Sequence, residues 1–258
     1  MRSMNGNKKM LFTIYWRSFF IQALWNFERM QNVGFAYGLL PLIRMLYPDP
    51  EKRKEVLLRH LGFFNVHPYM VTIIFGIVAS MEKDLTEGKS VTPEEITMLK
   101  ANMAGPLSAI GDTFFWATWR PFTALLGASL ILFFYDVNTF RGTWLPPLFF
   151  LVSYNLIQLP FRYWSLKIGF QLRGRIVRVI AGMEFQRAVN TIRYAGLFVL
   201  AIVLIYYLAV FAPGFNEKVI FGAFFLLTLL FGYVRVPPLI LFYGTVLLAV
   251  GLAWLGIY

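Results

Sequence analysis

The chain has 258 residues, of which 58% are hydrophobic, 18% aromatic and only 14% charged, with a formal net charge of +11 and no cysteine. That balance excludes a soluble domain of ordinary composition, and the missing cysteines exclude disulfides, thiolate nucleophiles and Cys-based metal sites. The two histidines do not make a conventional zinc site, and the basic residues are scattered between apolar stretches, so neither a cofactor nor a nucleic-acid partner is expected.

The N-terminus carries Arg2, Lys8 and Lys9 but no small-residue cleavage site behind a compact apolar core, so insertion into a membrane is expected to rely on internal spans. Residues 10–27 (MLFTIYWRSFFIQALWNF) are rich in aromatics and interrupted by Arg17 and Gln22, which predicts a helix lying in the interface or packed on a partner. Residues 33–47 are apolar, with Gly34 and Gly38 at the spacing that permits close helix contact. The charged stretch 47–60 (YPDPEKRKEVLLRH) reads as cytoplasmic, with Pro50 near a helix start. Residues 61–81 are long enough to span, but Asn65, His67 and Pro68 at one end suit a cavity lining.

In the polar segment 81–100, Thr92-Pro93-Glu94-Glu95 reads as an N-cap followed by Pro at the first helical position. The apolar segment after it is interrupted by Gly105-Pro106 and Gly111-Asp112, which predicts broken helices or a re-entrant loop. Residues 121–135 and 142–161 add apolar stretches, the second containing Pro146, Pro147 and Pro160. Residues 162–193 hold seven basic side chains against one acid, Glu184, and are expected on the cytoplasmic side. A membrane-crossing helix needs about 20 residues. Residues 194–216 and 236–258 meet that length without a charge, and the shorter 219–234 lies between them. The expected fold is therefore all-α: a polytopic helical membrane protein with broken or re-entrant helices and a C-terminal transmembrane hairpin plus final span. Two regions are expected, a core over 1–193 and C-terminal transmembrane helices over 194–258, with the N-terminus cytoplasmic and the C-terminus external.

Candidate site residues follow from polar groups in apolar surroundings. Helical spacing would put Trp25, Glu28, Gln31 and Asn32 on adjoining parts of one surface. An aromatic plate beside a carboxylate and amides suits a sugar, whose hydroxyls need paired donors and acceptors and whose C–H face needs an apolar wall. The competing reading pairs Glu28 with a nearby cation and makes Trp25 a membrane anchor. Asp112, ahead of the aromatic run that ends in Trp116, is either a cavity-facing carboxylate or a helix cap. His67 with Asn65 reads as a proton relay, a ligand group or a hydrogen-bonded packing pair, and Lys100 lies one span earlier than Asp112. No paired catalytic groups, phosphate-binding glycine loop or metal-ligand set is found, so the chain is not expected to be an enzyme.

Four segments carry a resemblance: WNFERMQNVGF at 25–35, RHLGFFNVHPYM at 59–70, NMAGPLSAIGDTFFWATWRP at 102–121 and SYNLIQLPFRYW at 153–164. In content and order they resemble the IID component of the mannose/fructose/sorbose family of the bacterial phosphoenolpyruvate-dependent sugar phosphotransferase system, over roughly residues 15–180. The resemblance implies a non-catalytic subunit of the bacterial inner membrane that pairs with a IIC subunit, in a hetero-oligomer surrounded by lipid, to pass a hexose-type sugar. Cytosolic IIA and IIB relay phosphate through their own histidines, so neither His60 nor His67 is expected to be a phosphoacceptor. It also implies elevator-like movement of broken-helix elements. Lining candidates are Glu28, Gln31, Asn65, His67, Lys100 and Asp112, with Trp25 and Trp116 as stacking rings. Glu28 and Asp112 would accept hydroxyl hydrogen bonds, the two amides would serve in either direction, and Lys100 would orient a carboxylate or meet phosphate from IIB. Two departures stand out: the last hairpin has only a PGFNEK turn, and position 67 is His where an amide is expected, which points to an unusual sugar. The alternative function is a non-transporting membrane scaffold that docks a soluble regulatory partner on the basic 162–193 face.

Overall fold

The computed structural model describes residues 2–134, 140–182, 184–210 and 237–254, with the single positions Gly214, Gly222, Leu226 and Leu230. These residues are mostly helical, and no strand occurs among them. The helices are α1 (Arg2–Arg17), α2 (Asn32–Leu46), α3 (Pro50–His60), α4 (Val71–Thr86), α5 (Pro93–Gly111), α6 (Arg120–Phe134), α7 (Phe140–Leu172), α8 (Ile176–Ala181), α9 (Phe185–Val210) and α10 (Pro238–Trp254). Two compact units divide at Val199 and Leu200. In the first unit, α4 is the central helix, buried at every position from Val71 to Ser80.

Its closest neighbour is α7. A Cβ on Gly76 would collide with the carbonyl oxygen of Leu166, and one on Gly169 with that of Ile73, so the two backbones touch only because both positions lack side chains. Thr72 and Ser165 add a hydroxyl pair at 2.7 Å across the same crossing. On the opposite side of α4, Phe75 stacks on Phe35 of α2 at 4.7 Å and fills the space left by Gly38. The predicted small-residue spacing of α2 therefore does bring close contacts, Gly38 against the Phe75 ring and Gly34 against the backbone of Ile21.

At the polar end of α4, beyond the apolar stretch 61–81, Glu82 ties three helices together. It is fully buried and receives hydrogen bonds from Tyr47 at 2.7 Å and Arg59 at 2.6 Å, and it faces His60 Nε2 at 2.8 Å. Burial keeps His60 below its ordinary pKa, so the neutral ring donates its Nε2–H to the carboxylate. Burial also opposes the charge on Glu82, but the bonds from His60, Tyr47 and Arg59 prevail and hold its carboxyl down at about 2.

Several expectations change. Residues 105–112 do not break the helix: α5 passes through Pro106 and continues by a π-helical segment, Asp112–Trp119, into α6. The interruption is a change of pitch, marked by Thr118 Oγ1 donating five residues back to the Thr113 carbonyl at 2.7 Å. Residues 10–27 are only partly helical, since α1 ends at Arg17 and a 3₁₀ turn covers Ser18–Phe20. The helix within 61–81 starts only at Val71. The N-cap at Thr92 is borne out, and Glu95 completes it as a capping box, with Glu95 N to Thr92 Oγ1 at 3.2 Å and Thr92 N to Glu95 Oε2 at 2.9 Å. Among the described residues one helix, α9, is long and apolar enough to cross a membrane. The predicted 219–234 span and most of the PGFNEK turn lie outside the described residues.

Two outcomes are expected. Gly76→Leu forces α4 and α7 apart at an overpacking cost of about 1–3 kcal/mol or more, and should sharply lower the monodisperse fraction in detergent size-exclusion chromatography; an unchanged profile would refute the crossing. Glu82 titrates well below its ordinary 4.5, so its share of stability, about 3 kcal/mol, is present at neutral pH and lost as pH falls from 4.5 through about 2. Thermal melts should show that acid-induced loss in the wild type and a lower, flatter profile in Glu82→Gln.

Candidate functional site

The four segments that carry the resemblance are far apart in the chain but meet in space. Residues 26–31 form a tight loop instead of a helical turn. Asn26 and Met30 exchange backbone hydrogen bonds at 3.1 and 2.9 Å, and Met30 adopts a left-handed φ of 57° to close them. The Asn26 side chain reinforces the loop by accepting from Arg29 N at 2.8 Å and donating to Asn32 Oδ1 at 2.9 Å. This geometry overturns the shared helical face expected for Trp25, Glu28, Gln31 and Asn32. The loop splits them, with Phe27 at its tip 87% exposed and Gln31 at its base 2% exposed.

Gln31 joins the first segment to the second. Its amide donates to the Val66 carbonyl at 2.9 Å and accepts from the Val66 N–H at 3.1 Å, so both ends of one side chain are spent on one backbone residue. Gln31 N also donates to the Phe64 carbonyl at 2.8 Å, and Asn32 Nδ2 to that of Leu61 at 2.9 Å.

His67 joins the second segment to the third. Its ring lies directly on Gly111, where a Cβ would collide with it, stacks 5.5 Å from Phe115 and meets Trp116 at a tilt, 4.7 Å away. The glycine of the IGD string therefore makes room for this imidazole. His67 Nδ1 accepts from Tyr69 N at 3.2 Å, which leaves Nε2 carrying the hydrogen, buried and with no partner among the described residues. The fourth segment closes the group through a Tyr69–Tyr154 hydroxyl pair at 2.9 Å, a Trp119 indole bond to the Tyr154 carbonyl at 3.3 Å, and Phe161 against Phe115 at 5.2 Å.

The candidate residues thus divide into two sets. Gln31, His67 and Lys100 are buried. Lys100 donates to the His60 carbonyl at 3.1 Å and sits over the rings of Phe35 and Phe64 at 4.4 and 4.9 Å, so its charge is held by π faces and a peptide oxygen and not by a carboxylate. Trp25, Glu28, Asn65, Asp112 and Trp116 are exposed. Glu28 pairs with its neighbour Arg29 at 3.0 Å, and Trp25 packs edge-on against Phe27 at 4.8 Å. Asp112 has helical dihedrals of −62° and −44° in mid-run, so it stands at no helix start and the capping reading is removed.

Sequence reasoning missed Arg162. Counted among the basic residues of a solvated face, it is instead 3% exposed, donates to Ser18 Oγ at 3.0 Å and lies over the rings of Phe19 and Tyr69 at 4.5 and 4.9 Å. No ion pair holds it among the described residues, and its Nε is buried without a partner. The available signal was its setting, a lone guanidinium inside the apolar string LPFRYW.

Comparison with known proteins agrees with this architecture. The chain is 37% identical over 193 residues to the fructose permease IID component of Bacillus subtilis (strain 168), covering 75% of this chain and 67% of that protein. It is 36% identical over 188 residues to the mannose-specific EIID component of Escherichia coli (strain K12), covering 72% of this chain and 64% of that protein. The chain thus spans about two thirds of the length of these curated relatives. Among solved structures, one described as a membrane protein superposes with a TM-score of 0.72 at 27% identity, over 96% of this chain and 97% of the other. A cryo-EM structure of the mannose transporter ManYZ in complex with microcin E492 (MceA) superposes with a TM-score of 0.58 at 27% identity, over 96% of each chain. A family model matches residues 7–220, and the chain therefore belongs to the PTS system mannose/fructose/sorbose family IID component.

Proposed function

We propose that this chain forms, together with a IIC subunit, the membrane path for a hexose-type sugar that a IIB phosphocarrier, charged by IIA, phosphorylates as it is released at the cytoplasmic face. The observation that carries this reading is the meeting of the four family segments around Gln31, His67 and Tyr69, in a chain that superposes over 96% of its length on one chain of the ManYZ structure. The protein would sit in the bacterial inner membrane as a multi-pass subunit, with α9 as one span and its N-terminus in the cytoplasm. Its contribution would be passage and docking. Phosphoryl transfer falls to IIA and IIB, and the burial of His60 and His67, 1% and 2% exposed, supports that division because neither ring is open to an incoming phosphohistidine.

Within this reading the two sets of candidate residues take different roles. Glu28, Asn65 and Asp112 offer hydrogen bonds outward, and Trp25 and Trp116 offer ring faces, to the sugar or to the IIC surface that encloses it. Gln31, His67 and Lys100 act as positioning residues that fix the loops carrying the outward set.

The test is sugar uptake by cells expressing Glu28→Gln or Asp112→Asn, alongside affinity purification from the membrane. A hydrogen bond to a charged group contributes about 1.5–3 kcal/mol, so each variant should lose about ten- to hundredfold in uptake with membrane insertion unchanged. The wild type should bring down a IIC-like polytopic subunit and melt at a higher temperature with one hexose. Unchanged uptake in both variants would reject the residue assignment. Recovery of soluble proteins alone, with no effect of sugar, would favour the scaffold.

A further inference from the structure

Two recesses flank the stretch that leaves the end of α7. The first, of about 610 Å³, lies between the last turns of α4 and α7 and is lined by Lys83, Asp84, Glu87, Lys89, Arg173 and Arg175. Asp84 organises it. Its side chain is 2% exposed, held by Lys89 at 2.8 Å and by Arg173 at 2.6 and 2.9 Å, and Arg173 reaches on to Ser80 Oγ at 3.0 Å. Lys89 also pairs with Glu87. These contacts match both carboxylates with two of the four cations. Lys83 reaches Glu87 only at 3.8 Å, and Arg175 has no ion pair among the described residues, so two positive charges remain in excess.

The second recess, of about 620 Å³, is apolar and lies between α4, α5 and α8, lined by Met81, Met98, Leu99, Met103, Leu107 and Ile180. Ser80 and Met81 are neighbours on α4, and Arg175 and Ile180 lie five residues apart. The two recesses therefore share α4 and the stretch 173–181 in their walls, one recess cationic and the other mainly apolar. Methionine-rich walls adapt to a flexible, irregular hydrocarbon.

We propose that the pair forms a binding site for an anionic phospholipid, with the phosphodiester on Lys83 and Arg175 and an acyl chain along the Met98–Met103 groove. A soluble phosphorylated compound would use the first recess and leave the second without a purpose. A zwitterionic lipid would fill the second and leave the excess charge of the first unmatched. The site rests on the membrane placement of the chain and not on sugar transport, so a failure of either reading leaves the other standing.

The experiment is a thermal melt of the full-length chain, solubilised with its co-purifying subunits in a neutral detergent, with added phosphatidylglycerol, phosphatidylcholine or inorganic phosphate. Phosphatidylglycerol should raise Tm well above phosphatidylcholine at equal concentration, and inorganic phosphate should leave it unchanged. Lys83→Gln/Arg175→Gln, which leaves the Asp84 cluster intact, should weaken the phosphatidylglycerol effect about thirtyfold in midpoint concentration. Asn102→Trp, which fills the groove from its lining, should abolish it too. Should the double variant fail to purify, Lys83→Gln alone is read against a smaller expected shift. Equal protection by phosphatidylcholine, or by inorganic phosphate, would overturn the proposal, as would an undiminished phosphatidylglycerol effect in either variant.

Discussion

Everything in the first unit hangs on the crossing of α4 and α7, where two glycines let backbone meet backbone. Backbone meeting backbone at this distance multiplies van der Waals contacts along both helices, which larger side chains at the crossing would forbid. Gly76 and Gly169 remove the steric barrier on both partners at once, and the Thr72–Ser165 hydroxyl pair adds direction. Once α4 is fixed against α7, its Phe75 can seat Phe35, and its polar end can gather Tyr47, Arg59 and His60 around Glu82.

The same crossing places the candidate site. The loop before α4 carries Val66, His67 and Tyr69, and each binds a different segment: Val66 holds Gln31, His67 rests on Gly111, and Tyr69 meets Tyr154. Family strings that look like separate hallmarks are thus parts of one contact surface. The outward carboxylates sit on segments whose inward residues are locked, the arrangement a binding surface needs if its geometry is to survive contact with a partner or a substrate.

How much of this was legible in the sequence depended on the range of the interaction. The Thr92 N-cap and the start of α3 at Pro50 are settled by a few neighbouring residues, and both form where the sequence places them. The small residues of α2 indicated close contact but not its partners, because nothing local names Ile21 or Phe75. The face joining Glu28 to Gln31 was misread because a helical period was extended through Met30, whose left-handed φ and Asn26-bound loop turn the chain. Gly105-Pro106 and Gly111-Asp112 read as breaks, yet α5 runs through the first and widens to π geometry only after the second, with Gly111 kept small for the His67 ring. Arg162 was hidden by pooling charges along the chain: a count of basic residues carries no information on which of them turns inward.

Arg162 also bears on how the protein is put together. A guanidinium buried among the apolar side chains of α7 is costly by itself, and what makes it tolerable is Ser18 and the faces of Phe19 and Tyr69, contributed by the turn after α1 and the loop before α4. Those groups are synthesised more than ninety residues earlier. Arg162 therefore ties α7 to the turn after α1 and to the loop before α4, and its buried charge is accommodated only where all three meet.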